Sequence, residues 1–250
     1  EENGMSGIHN FDFSKLNSKY VIVCDADIFG VLQISGASYC NGLVEISCKG
    51  GHSGIEIADK TKPNAAKLMA ELCNTIPQGV YYEEDGKVVT SCNLGGIKAG
   101  DINVTNIINP QAGVSYSIRS ASRQKEDELK EIMTSTVKEF AKENANLADV
   151  TIEFEEHLPP FEKVNDEYIP LLFETSARKV GVEPDITTFH AGAETHIYAN
   201  ETNASGEKFI PYLVGLATVC NMHTADEYLD YKSILKGHEV LREFFKAYNA

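Results

Sequence analysis

No apolar run in this 250-residue chain reaches the ~18 to 20 residues that a membrane-spanning helix needs, and no signal-peptide pattern opens it. Basic residues are few: 22 Lys and Arg stand against 37 Asp and Glu, for a net charge of −15. Phosphate backbones need clustered Lys and Arg, so nucleic acid is not an expected partner. The acidic excess by itself describes a solvated surface rather than an acidic active site. The six cysteines include no CxxC pair, and a disulfide framework is not the expectation. Cys24, Cys48 and Cys92 fall inside apolar strand-like runs, where the thiol behaves as a small hydrophobe. Free thiols in a reducing, cytoplasmic compartment are the expectation. Asn103, Asn200 and Asn203 match glycosylation acceptors, a short pattern that chance supplies readily.

The patterning that is present describes an α/β protein. "YVIVCDAD" (20–27) is a short apolar run ending in acids, as a buried strand does when it delivers a side chain at its C-terminal end. "GVLQISGAS" follows as a second strand, and "GLVEISCKG" (42–50) alternates as a half-buried one. Thr61 and Pro63 signal a helix with Ala66, Met69, Leu72 and Cys73 on one face. Strands are expected at 88–97 and 113–121, then a helix from Ser122 to about Asn144. Its stripe is Leu129, Ile132, Met133, Val137, Phe140 and Ala141. "DVTIEFEE" (149–156) closes the set. The order is β-α-β-β-α-β, a split βαβ insert over 41–158. It interrupts a second α/β unit made of 1–40 and 159–250, whose later part reads as helix 166–180, strand "ITTFHAG", strand "YLVGLA" and helix 232–248.

Several short stretches carry chemistry. Glu1-Glu2 is either a surface pair or a division of labour, one carboxylate on a metal and its neighbour moving protons. Asp25 suits a ligand or a helix cap equally. His52, set between glycines in "GGHSG", is either an idle loop residue or a group held toward a ligand. His223 in "NMHTADEYL" can be a structural histidine, and "FHAGAETH" offers two more imidazoles and a carboxylate. Carboxylate with imidazole is a donor set that zinc accepts.

The order of these stretches is more specific than any one of them. "EENGMSG", Asp25 after "YVIVCD", "GGHSG", an insert with "TNIIN" and "IRSAS", then "HAGAE" and "MHTADE" together resemble the co-catalytic zinc exopeptidase family of peptidase T and aminoacyl-histidine dipeptidase. The resemblance runs along essentially the whole chain. It implies part of a zinc-exopeptidase catalytic domain with an inserted ferredoxin-like dimerisation domain, and hydrolysis of di- or tripeptides with two zinc ions per site. It assigns Glu1 as general base, Glu2 and His223 to one zinc and Asp25 to the other. It also makes His52 an oxyanion donor reaching the partner subunit's site. Asn106, Arg119 and Gly192 become substrate-binding groups, an arginine fork suiting a carboxylate.

Two departures accompany it. Relatives often carry an aspartate loop where this chain has "HAGAE", so the roles of His190 and Glu194 stay open. The family's His-x-Asp ligand motif and metal-bridging Asp, which precede the acidic pair, are not found here. With Glu1 rather than Met at its start, the chain reads as the C-terminal two-thirds of such an enzyme. The expected alternatives are a non-catalytic dimerising fragment, or an N-deacylase or carboxypeptidase of the same superfamily.

Overall fold

The computed structural model describes residues 5–250, so Glu1 and Glu2 lie outside the described residues. The chain divides into one unit made of 1–37 and 159–250 and a second made of 38–158. It enters through helix α1 (Ser6–His9), strand β1 (Tyr20–Val23) and strand β2 (Val31–Gly36). The second unit then runs β3 (Tyr39–Cys48), β4 (Gly51–His52), α2 (Ala65–Cys73), β5 (Gly79–Glu84), β6 (Lys87–Lys98), β7 (Ile107–Ile108), β8 (Gln111–Ser120), α3 (Arg123–Glu143) and β9 (Ala148–Leu158). The first unit resumes with α4 (Tyr168–Lys179), β10 (Asp185–Phe189), α5 (Thr195–Asn200), β11 (Ile210–Val214), β12 (Val219–Cys220), β13 (Tyr228–Leu229) and α6 (Tyr231–Tyr248).

In the second unit an antiparallel sheet of order β5-β6-β8-β3-β9 forms because its strands alternate. Cys40, Val44 and Ile46 of β3 and Ala112, Val114, Tyr116 and Ile118 of β8 point to one face, where Leu68, Met69 and Leu72 of α2 and Leu129, Met133 and Val137 of α3 close the core. This is the split βαβ arrangement with one added edge strand, β5, absent from the sequence expectation. Its signal was Asp85-Gly86, whose φ values of +50° and +72° match the two-residue turn that suits the twist of a hairpin. Helix α2 starts later than Thr61 and Pro63 imply: Asn64 caps it, its Oδ1 accepting from Ala66 N–H, and Ala65 rather than Ala66 is buried. Ile132, expected in the stripe of α3, is 40% exposed. The buried face of α3 instead includes Glu126, fully buried, which accepts from Ser38 Oγ at 2.5 Å and pairs with Lys130 and Arg123. Arg123 also pairs with Glu156 of β9.

In the first unit the sheet order is β1-β11-β2-β10. Leu32, Tyr212 and Val214 pack beneath Ile169 and Phe173 of α4 and Val240 and Phe244 of α6. Strand β1 is a half-buried edge, not the buried strand its apolar run implies, and Cys24 just beyond it is exposed. The two helices are pinned by Glu243, which lies 2.7 Å from both Lys179 and Lys246. Those ammonium groups hold its carboxyl near 2, down from 4.5. A depressed native pKa contributes stability above the unfolded value and loses it as pH falls. Glu243→Gln should therefore melt below the parent at neutral pH, with the gap closing as pH drops from about 4.5 toward 2. Thermal melts of both proteins over that range measure it; a gap independent of pH would reject the ion pairs as its source.

Candidate functional site

The glycines around His52 have separate tasks. Gly50 takes φ +67°, and a Cβ there would meet Pro110 at 2.9 Å, so the chain can turn out of β3 only with glycine. Strand β4 then pairs with β7, His52 opposite Ile107. Ser53 N–H donates to Asn106 O at 3.0 Å and Ser53 Oγ to Thr105 O at 3.2 Å. His52 and Asn106, far apart in sequence, thus share one end of the second unit. The imidazole is held by its own turn: Gly54 N–H and Ile55 N–H both donate to Nδ1, at 3.1 and 3.3 Å. With Nδ1 accepting, the proton of the neutral ring sits on Nε2, which is then a donor on an exposed loop.

Arg119 lies elsewhere. It sits near the end of β8, with its guanidinium 4.2 Å from the centre of the Tyr39 ring. Burial pushes it below its ordinary range, Tyr39 opposing the shift. Strand β8 begins beside the Asn106 loop at Gln111, and at roughly 3.3 Å per residue Arg119 is ~26 Å further along.

In the first unit Asp25 and His223 reach one end of the sheet. Asp25 follows β1, and the turn after it is tied down by Ala26 N–H to Val214 O and by Val219 N–H to Asp27 O. A Cβ at Gly215 would fall 1.7 Å from Ile28 O, so the crossing of these two loops requires glycine. From Val219 the β12–β13 hairpin carries His223 at its tip, both Asn221 (φ +56°) and His223 (φ +62°) being left-handed. Glu227 steadies it, accepting from His223 N–H at 2.7 Å. Left-handed non-glycine residues concentrate at functional loops, where the fold holds them in place.

Strand β10 runs antiparallel to β1, as the parallel β1–β11 and β2–β10 pairs flank an antiparallel β11–β2 pair. It therefore delivers His190 and Gly192 to the opposite end of the sheet from Asp25. His196, the second imidazole of "FHAGAETH", is fully buried with Nε2 3.1 Å from Ala37 O and its ring between Phe161 and Phe189. It packs inside the unit rather than offering itself to a metal. Among the described residues no three His, Cys, Asp or Glu side chains are gathered as a metal site. Asp25 and His223 supply one carboxylate and one imidazole, and Glu2 lies outside the described residues, so the described set does not by itself fit a two-zinc centre.

Comparison with known proteins places the second unit. Residues 37–145 match the peptidase dimerisation domain of the M20 type. No curated protein matches the sequence. Among solved structures, the aminopeptidase PepT from Bacillus cereus superposes with a TM-score of 0.81 at 18% identity, over 100% of this chain and 62% of its own. A tripeptidase from Staphylococcus aureus gives 0.81 at 19%, over 98% and 61%. The aminoacylhistidine dipeptidase from Vibrio alginolyticus gives 0.71 at 15%, over 98% and 69%. The chain thus spans about three-fifths of the length of the first two. It carries an M20-type peptidase dimerisation domain set into the α/β fold of these aminopeptidase, tripeptidase and dipeptidase structures.

Proposed function

We propose that this chain serves a zinc-dependent cytoplasmic peptidase that cleaves di- or tripeptides and works as a homodimer through residues 41–158. The observation that carries the proposal is the His52 turn. A neutral imidazole whose Nδ1 is occupied by two backbone donors presents Nε2–H outward, the donor that a peptide oxyanion takes up as it forms. Asn106 lies beside it to hold the peptide oxygen, and Arg119, with no carboxylate of the described residues within ion-pair distance, is available to a substrate's terminal carboxylate.

The separation of these groups supports use across subunits. An extended tripeptide spans at most ~11 Å, against the ~26 Å between the two ends of β8. A small peptide does not span that backbone distance within one copy, which supports a role for His52 in its partner's site. Roles for Glu1 as base, and for Glu2, Asp25 and His223 toward zinc, follow from the family likeness. Free cysteines agree with a reducing compartment.

The full-length gene product should hydrolyse di- or tripeptides and lose that activity to a chelator; hydrolysis of N-acyl amino acids alone would assign a deacylase instead. Zinc titrated into the 250-residue chain by calorimetry should show only weak binding, since the described donors are too few for a closed coordination set. Two tight sites would instead show that residues 1–250 complete the centre alone.

A further inference from the structure

Glu56 was not among the residues the sequence singled out, yet the His52 turn is built on it. His52 N–H donates to Glu56 Oε2 at 2.8 Å, and Glu56 N–H donates back to the His52 carbonyl at 2.9 Å. The other carboxylate oxygen, Oε1, is paired with the Lys62 ammonium. Lys62 is set by a second turn, in which its N–H donates to Asp59 O while Asp59 Oδ1 accepts from the amide and hydroxyl of Thr61. A Cβ at Gly51 would sit 2.6 Å from Glu56 Oε2, so the second glycine of "GGHSG" makes room for this carboxylate. Lys62 first, then the His52 amide, hold the Glu56 carboxyl below its ordinary range, and it is the charged form that accepts both bonds.

We propose that Glu56, clamped by Lys62, is a positioning residue for His52. It closes the 52–56 turn so that Gly54 and Ile55 N–H face Nδ1, which fixes both the ring's direction and its Nε2–H tautomer. The effect on catalysis rests on the oxyanion role proposed above; the effect on the ring does not. A merely structural ion pair on this exposed loop would leave the imidazole free to exchange tautomers.

The test is nitrogen-15 NMR of the histidine rings in the 250-residue chain, at roughly pH 8.5, above the usual histidine range, with His52 assigned from a His52→Gln variant. The parent should show the fixed Nε2–H pattern at His52. Glu56→Ala should give the averaged pattern of a free neutral imidazole. Glu56→Gln, which keeps an acceptor for the His52 amide but loses Lys62, should fall between them, as should Lys62→Met. In the full-length gene product Glu56→Ala should lower kcat about 10-fold to 10²-fold with KM little changed, the scale of a misplaced catalytic group. An unaltered tautomer pattern in Glu56→Ala overturns the proposal. Loss of the pattern without any change of kcat, in a protein whose His52→Ala form is also fully active, upholds the positioning and rejects the oxyanion role.

Discussion

Replacing His52 with alanine in the full-length gene product should reduce kcat by roughly 10² to 10³ while KM moves little, the loss typical of one oxyanion donor. The contact strengthens as negative charge collects on the peptide oxygen, so its removal raises the barrier more than it weakens the bound substrate. An idle loop histidine predicts no change in either constant. Cross-subunit use adds a sharper expectation. Mixed dimers of His52→Ala and Glu1→Gln subunits should regain activity, because one of their two sites combines an unaltered Glu1 with a histidine from across the interface. Mixed dimers as inactive as either parent variant, with subunit exchange demonstrated, would rule out action in trans.

The largest stability effect should come from Glu126. Its carboxylate is fully buried between Ser38, Lys130 and Arg123. Glu126→Ala leaves those donors facing a cavity, and breaking a buried pair from one side costs about 3 to 5 kcal/mol. Much of this is the desolvation of an unmatched Lys130, so Glu126→Gln, which keeps two hydrogen-bonding atoms without the charge, should recover only part of it. Denaturant unfolding of the isolated 38–158 unit measures both. A loss below ~1 kcal/mol for the alanine variant would mean that water reaches the cluster and pairs Lys130.

Much of the second unit was legible because burial on one face of a sheet imposes alternation, and burial against that sheet imposes helical spacing. Val44, Ile46, Val114 and Tyr116 stand where alternation puts them, and Leu129, Met133 and Val137 where a helix of 3.6 residues per turn puts them. The misses occur where local signals compete. Thr61 has the signature of a helix start, but its hydroxyl and amide belong to the Asp59 turn, and Asn64 caps the helix. The burial of Glu126 leaves no mark in the sequence, since nothing there shows that Ser38 and Lys130 converge on it. The site was legible as residue types, with His52 and Asn106 meeting through a two-residue strand pair too short to leave a periodic trace. Glu56 was missed for a related reason: its partners are backbone amide and Lys62, and neither has a sequence signature.

The placing of β11 between β1 and β2 has a consequence for how the polypeptide comes off the ribosome. Every strand of the 38–158 unit exists once residue 158 has been made, so that unit can close during synthesis. Among the described residues, by contrast, the sheet neighbour of strand β1 is 210–214, made nearly two hundred residues later. Among the described residues that strand pairs only across a very long sequence separation, a contact that forms slowly. Of the two units, the inner one can form first in vectorial synthesis, and the sheet that carries Asp25 closes after it.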